Sequence, residues 1–392
     1  MSDARTGYKI AQIGGRGVPN VSGGVERVLE AIAPRLVARG HDVTVYCAER
    51  DGERPRAWRG VTLKYAPSLR TKHFDTLFRS LFATVREIFS DTDIIHFHAA
   101  GSAPLALLAR LAGKRVVTTI HGRDFQRAKW GAVGKAALQF GEWAAVKLPH
   151  ATVVVGQDLK ETLDAIHDAD VTFIANGAEL LERRPADIIN REYGLGEGDY
   201  ILYLARLVPE KNAHILIDAY RQLADKGGKK LVIAGPTWHS EDYAERLRTI
   251  ADGDPNVIFT GEALDQKLDE LFSNAYAFVL PSQIEGMSLG LLTAMAYGSC
   301  VVVSDIPANA NVVGDAGLVV ETGSVEALRD GLARLIAEPD LQADYQRRAR
   351  AHIGAEYDWD RIADRWVGVY DAVAKGRKAD LAAPAGASVK DA

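Results

Sequence analysis

Two cysteines in 392 residues, Cys47 and Cys300, are too few for a disulfide framework, which makes a reducing cytoplasm the expected compartment. No stretch reaches the roughly 18 uninterrupted apolar residues of a membrane-spanning helix. The opening MSDARTGYKI lacks the apolar core of a signal peptide and runs almost at once into a strand. Charge of one sign is not in large excess, with 47 Lys+Arg against 52 Asp+Glu, and no nucleic-acid partner is expected. Two common chemical signatures are also missing: the nucleotide-binding P-loop and the dinucleotide pattern G-x-G-x-x-G.

What is present is a chain 47% hydrophobic, too apolar to be disordered and too long for one ordinary core. The net charge of −5 is unevenly spread. Residues 1–185 hold 26 Lys+Arg and 20 Asp+Glu, a net of +6; residues 186–392 hold 21 and 32, a net of −11. A basic first half suggests an anionic neighbour, and ordinary drift between two domains would give the same numbers.

Strand and helix patterns alternate along the chain. Strands are expected at 9–14, 42–47, 61–65, 93–98, 115–120 and 151–155, with helices at 24–39, 71–89, 103–112 and 135–146 between them. A second series begins at Tyr200. Its strands are expected at 200–205, 230–234, 256–259, 275–280 and 300–303, separated by helices at 213–224, 241–251, 264–272 and 288–297. Alternation of this kind implies two tandem, Rossmann-like, doubly wound α/β domains with parallel sheets. The first domain is expected to span 1–185 and the second 186–356. A C-terminal helix over about 357–378 is expected to pack back on the first domain, ahead of a disordered tail at 379–392.

Ligands of open parallel sheets bind beyond the carboxyl ends of the strands, so the residues there are the site candidates. After the first strand come Gly14, Gly15 and Gly17, then Gly23 and Gly24 at the start of a helix. Glycines let backbone approach a ligand, and free N–H groups at a helix N-terminus attract an anion. A tight βα turn explains the same residues. After the strand at 115–120 stands His121, placed for a cleft or for a loop carbonyl.

After the strand at 200–205, Arg206 and Lys211 flank a helix start with Asn212 as its expected N-cap. A fork-shaped cation and a point charge there form a diphosphate seat, or a loop ion-paired through Glu210. After the strand at 275–280, Glu285 and Gly286 precede a helix led by Met287, Ser288 and Leu289. A carboxylate accepts two hydrogen bonds and suits polyhydroxylated ligands, or it merely caps the helix. Four Asp-x-Asp pairs, at 91/93, 168/170, 252/254 and 358/360, and His96-x-His98 are discounted as metal sites because turns and caps account for the first and a third ligand is missing from the second.

Taken together, these segments resemble a family 4 glycosyltransferase of the GT-B type. The resemblance runs through IGGRGVPNVSGGVERVLEAIAPRLVARGHDVTVYC, TTIHGRDFQRAKW, LARLVPEKN and PSQIEGMSLGLLTAMAYGSCVVVSDIP, so it covers nearly the whole chain. The first block is similar to bacterial hexosyl- and rhamnosyltransferases of surface-polysaccharide assembly. The resemblance implies two domains facing each other across a cleft, a retaining reaction and no metal or other cofactor. The co-substrate would be a UDP-, dTDP- or GDP-linked sugar, and the acceptor a glycan, free or on a polyprenyl diphosphate.

The resemblance also implies residue roles. Arg206 and Lys211 would hold the donor diphosphate, and Glu285 the sugar hydroxyls, beside the backbone of Gly286 and Met287–Leu289. Gly15, Gly17, Gly23 and Gly24 would line the donor from the first domain, and His121 would touch the sugar at the reacting end. Where the family pattern has a second glutamate for the nucleotide ribose, this sequence has Thr293. Either another residue takes over, or the donor lacks a 2′-hydroxyl, as a dTDP-rhamnose would, or the site is weakened.

The acceptor side is expected in the first domain, at Arg123, Asp124, Arg127, Lys129 and Trp130. The basic, amphipathic stretches 68–89 and 123–147 suggest an anionic membrane surface, although most such apolar faces are core. A sugar-nucleotide epimerase of the same shape and a non-catalytic sugar-nucleotide-binding protein remain the alternative readings.

Overall fold

The computed structural model describes residues 7–19, 23–49, 54–68, 75–123, 125, 131–237 and 240–377. The chain divides into two compact units, one comprising the residues up to Asn176 together with those from Trp359 onward, the other Gly177–Asp358.

The strands of the first unit are β1 (Lys9–Ile13), β2 (Asp42–Ala48), β3 (Ala57–Trp58), β4 (Val61–Ala66), β5 (Ile94–His98), β6 (Arg115–Ile120), β7 (Ala151–Val154) and β8 (Thr172–Phe173). Its helices are α1 (Gly24–Ala38), α2 (Asp75–Ile88), α3 (Ala106–Leu111), α4 (Ala132–Lys147) and α5 (Gln157–His167). The sheet runs β3-β4-β2-β1-β5-β6-β7-β8 and is parallel except for the β3–β4 pair. Its central strands β5 and β6 are buried almost throughout, although they carry His96, His98, Thr118 and Thr119 among their apolar residues.

The second unit contains α6 (Ile188–Tyr193), β9 (Tyr200–Leu204), α7 (Ala213–Arg221), β10 (Lys230–Ala234), α8 (Glu241–Ala251), β11 (Val257–Gly261) and α9 (Asp265–Asn274). It continues with β12 (Ala277–Leu280), α10 (Leu289–Ala296), β13 (Cys300–Ser304), α11 (Pro307–Val313), β14 (Leu318–Val320), α12 (Val325–Ala337) and α13 (Pro339–Glu356). Its strands are ordered β11-β10-β9-β12-β13-β14, all parallel. Two apolar layers flank the sheet, one around Phe272, Phe278 and Leu292, the other around Tyr203, Leu216 and Leu247.

Strand order reverses between β1 and β5 in the first unit and between β9 and β12 in the second. Such reversals open a crevice at the carboxyl ends of the strands, because the connections leave to opposite faces. The loops after β1, β9 and β12 therefore start at the two crevices.

The last helix, α14 (Trp359–Ala374), returns to the first unit and lies against α1. Arg39 ion-pairs with Asp360 and Asp364, Tyr8 donates its hydroxyl hydrogen to Asp371 at 2.8 Å, and Trp366 and Tyr370 are buried.

The structure departs from the sequence expectations in several places, and α5 and α11 were not expected at all. The division falls at Asn176/Gly177 rather than at residue 185, because residues 178–184 are stitched to the second unit: Ala178 N–H donates to Tyr357 O at 2.7 Å and Arg183 to Ser273 O. Just past the expected boundary lies the unforeseen α6, whose first N–H groups donate to buried Glu270 at 2.7 and 3.0 Å. The helix expected at 103–112 starts as a 3-10 turn, Ala100–Leu105, with Pro104 inside it. The antiparallel β3 and the short β8 and β14 carried no period long enough to read.

Candidate functional site

In the first unit the glycine loop after β1 is gripped from three sides. Arg16 N–H donates to Glu26 Oε1 at 2.8 Å, and Glu26 is buried on the first turn of α1. Arg79, buried on α2, donates to the carbonyl of Gly15 at 2.8 Å while pairing with Asp75. Gly17 has φ +117°, and a Cβ there would lie 2.6 Å from Cys47 Sγ at the end of β2. Glycine at 17 is thus required by the packing of the loop itself, independent of any ligand. A Cβ at Gly23 would overlap the Glu26 carboxylate, whereas Gly24, the first residue of α1, has open space beside it.

His121 follows β6, with its ring stacked on His98 at a centroid distance of 5.5 Å and Nε2 3.2 Å from His98 Nδ1. His98 and His96 are buried and stacked on each other at 4.2 Å. Burial holds both rings below the ordinary histidine range, His96 at about 3, with the charge of His121 pushing in the same direction. Arg123 makes a two-pronged contact with buried Glu142 of α4, at 2.9 and 3.1 Å, so its charge is spent within the unit. Asp124, Arg127, Lys129 and Trp130 lie outside the described residues.

In the second unit the loops after β9 and β12 are tied together. Lys211 ion-pairs with Glu285, the two side chains being only 14% and 7% exposed. Asn212 Nδ2 donates to Pro281 O at 3.0 Å, and Gln283 N–H to Glu210 O at 3.0 Å. Tyr203 donates its hydroxyl to Arg206 O at 3.3 Å. Asn212 is thus not the side-chain cap that its position suggested; it sits in the left-handed region at φ 54° and clamps one loop to the other.

Ser288, not Glu285, caps α10, accepting from Leu291 N–H at 3.2 Å. This leaves Glu285 as the acidic partner of Lys211 rather than a helix cap. Gly286, Met287 and Leu289 are half-buried beside the start of α10. Thr293, one turn further, donates to Leu289 O at 2.8 Å, so its hydroxyl hydrogen is committed to its own helix.

The structure therefore groups Arg206, Lys211, Glu285 and residues 286–289 at one crevice and the glycine loop with His121 at the carboxyl edge of the other sheet. The Lys211–Glu285 pair thus sets an ammonium and a carboxylate side by side at the strand-order reversal. The anchoring residues Asn212, Arg79 and Glu26 were not singled out as such from the sequence, since their partners lie far along the chain.

The remaining motifs are structural. Asp168 and Asp252 close α5 and α8 in left-handed conformation, Asp93 accepts from Lys9 N–H at 2.8 Å, and Asp254 from Asn256 N–H at 2.9 Å. Among the described residues, no group of three or more His, Cys, Asp or Glu side chains is placed to hold a metal ion.

Two family profiles match the chain. Residues 22–180 match "Glycosyltransferase Family 4" and residues 187–352 match "Glycosyl transferases group 1". A GDP-mannose-dependent alpha-(1-6)-phosphatidylinositol monomannoside mannosyltransferase of Mycobacterium tuberculosis is 27% identical over 88% of this chain and 94% of its own length. Among solved structures, sucrose-phosphate synthase from Thermosynechococcus elongatus superposes with a TM-score of 0.80 at 21% identity, covering 93% of this chain and 98% of that one. Anabaena HepE in complex with UDP-glucose gives 0.76 at 17% identity, over 93% and 99%. With one profile on each unit, and two Rossmann-like parallel sheets shared with these structures, the chain is a glycosyltransferase of the GT-B fold.

Proposed function

We propose that the protein moves a hexosyl group from a nucleoside-diphosphate sugar to a glycan acceptor, with retention of anomeric configuration and without a metal ion. The observation that carries this reading is the buried Lys211–Glu285 pair at the β9/β12 reversal. The donor diphosphate engages Arg206, Lys211 and the N–H groups at the start of α10, which together take the place a divalent cation would fill. Glu285 then accepts hydrogen bonds from the sugar hydroxyls. His121 touches the sugar at the reacting end, and a donor phosphate oxygen takes the proton of the attacking acceptor hydroxyl. The names of HepE's ligand, UDP-glucose, and of the mycobacterial relative, GDP-mannose-dependent, support a sugar-nucleotide donor. Threonine at 293, with its hydroxyl hydrogen given to Leu289 O, has no second oxygen to clamp a ribose, which favours a deoxyribonucleotide donor such as dTDP-rhamnose.

A lipid-linked acceptor, in surface-polysaccharide assembly on the inner face of the cell membrane, is supported by the outer surface of the first unit. Leu81, Phe82, Val85 and Phe89 of the α2 region, Leu111 of α3, and Val133, Phe140 and Trp143 of α4 are exposed, Phe89 and Val133 by 85%. Exposed Arg86, Lys135 and Lys147 lie among them. Large exposed apolar side chains with basic neighbours suit an anionic lipid surface. Arg79, read from the sequence as part of that basic face, faces inward instead.

The test is a donor screen by thermal shift followed by transfer assays. A cognate donor at about 100 times its Kd stabilises the protein by about 2.7 kcal/mol. Arg206→Ala and Glu285→Ala are expected to lower transfer by about two orders of magnitude or more, with activity of the unmodified protein persisting in chelator. Full transfer by either variant removes the assignment; donor turnover without acceptor removes the transferase reaction.

A further inference from the structure

Five buried polar side chains lie beneath His121: Gln12 of β1, His96 and His98 of β5, Thr119 of β6 and Tyr370 of α14. They stand in register across the sheet, with Gln12 beside His96 and His98 beside Thr119. A polar cluster inside an apolar sheet is stable only if each donor meets an acceptor, so its hydrogens must be arranged as one chain. The distances are Tyr370 Oη to His96 Nδ1 2.8 Å, Gln12 Nε2 to Tyr370 Oη 3.1 Å, His96 Nε2 to Thr119 Oγ1 2.7 Å, His98 Nε2 to Gln12 Oε1 2.7 Å and His121 Nε2 to His98 Nδ1 3.2 Å.

The direction of the chain follows from donor strength. A phenol hydroxyl is a good donor and a poor acceptor, and an imidazole nitrogen is a good acceptor, so Tyr370 donates to His96 across the shorter gap. The Tyr370 oxygen then accepts from the Gln12 amide across the longer one. That turns the Gln12 carbonyl toward His98, whose Nε2 must carry the proton. A buried, uncharged His98 has one lone pair remaining, at Nδ1, and this accepts from His121.

We propose that Gln12, His98 and Tyr370 are positioning residues that hold His121 as the tautomer protonated on Nε2, with Nδ1 as the nitrogen that accepts a hydrogen bond from a sugar hydroxyl. The second half of this statement rests on the assignment of His121 to the donor sugar made above; the tautomer does not. Tyr370 lies 249 residues further along the chain than the histidine it orients, so this is a link that no local motif encodes.

The experiment is 15N-imidazole NMR of the full chain at neutral pH, with the His121 signals assigned by their loss in His121→Asn. In the unmodified protein, His121 is expected to show a protonated Nε2 and a pyridine-type Nδ1. In Tyr370→Phe, which removes one hydroxyl, and in Gln12→Leu, which removes the acceptor of His98, the two nitrogens are expected to move toward averaged shifts. Transfer by the folded variants is expected to fall in kcat by about tenfold with the donor KM within about twofold, since orientation rather than binding is lost. Where Gln12→Leu does not fold, Tyr370→Phe carries the test. A pyridine-type Nε2 in the unmodified protein, or unchanged His121 shifts in folded Tyr370→Phe, overturns the proposal. If the tautomer behaves as expected while His121→Ala leaves transfer intact, the sugar contact fails and the hydrogen-bond chain stands.

Discussion

Thr293 shows how much one side chain decides. Its hydroxyl hydrogen goes to the carbonyl of Leu289 at 2.8 Å, a bond to its own helix that leaves a ribose only an oxygen lone pair. Thr293→Glu sends a longer, charged acceptor out from the same turn of α10. The expected outcome is a gain for UDP- or GDP-sugars over dTDP-sugars of about tenfold or more in a donor-competition assay, in line with a charge-assisted hydrogen bond of about 1.5–3 kcal/mol. An unchanged donor preference would show that position 293 does not face the nucleotide.

At this scale the sequence was legible where chemistry and chain position coincide. Lys211 and Glu285 could be named because each follows a strand. Asn212 could be named only as a cap and Arg79 only within a basic stretch, and Glu26 was not named, since what they hold is backbone outside their own elements: Pro281 O, Gly15 O and Arg16 N–H.

At the scale of elements, α2 is fastened through one carboxylate. Glu87, fully buried, accepts from Tyr46 of β2 at 2.6 Å, Lys64 of β4 at 2.7 Å and Ser90 at 2.7 Å, and from Thr92. Burial works against its charge, but hydrogen bonds from Lys64, Thr92, Tyr46 and Ser90 outweigh it and hold the pKa at about 2. A carboxylate depressed in the folded state stabilises fully above its unfolded value, 4.5, and that contribution is lost as pH falls toward 2. Urea unfolding of the first unit is therefore expected to lose about 3 kcal/mol across that interval from this group. Glu87→Gln should lose about as much already at pH 7, because Lys64 is left without its buried partner, and should show a flatter acid limb. Equal acid limbs for the two proteins would place the pH sensitivity elsewhere.

Most elements with a sustained apolar period were readable, α5 being passed over despite Leu159 and Leu163 on one face. Helix α6 was not, because what fixes it is a glutamate on α9 some eighty positions later, a tertiary tie with no local signal. The 3-10 turn before α3 reflects Pro104, which has no N–H to give the regular helix.

For the whole molecule, charge and exposure agree. The positive excess lies in the half of the chain that carries the exposed apolar side chains of α2, α3 and α4. Sedimentation with vesicles containing anionic lipid is expected to retain the protein at low salt and release it as ionic strength rises; Phe89→Asp with Val133→Asp should abolish retention while leaving soluble-acceptor transfer in place. No retention at low salt, or equal retention by neutral vesicles, would remove the anionic-surface part of the reading. Two doubly wound domains followed directly from the alternation of strands and helices, whereas the hand-over points between them did not, because residues 178–184 look like a polar linker and earn their place only through contacts with β12's neighbours and α13.

The route of the chain also sets a birth order. Residues 177–358 are contiguous, so that unit has everything it needs while the ribosome is still adding α14. The unit begun first is finished last: until Trp366 and Tyr370 emerge, its sheet stays uncovered along α1 and the hydrogen-bond chain under His121 has no terminus. A nascent chain halted before residue 359 would hold a contiguous second unit and an incomplete first one.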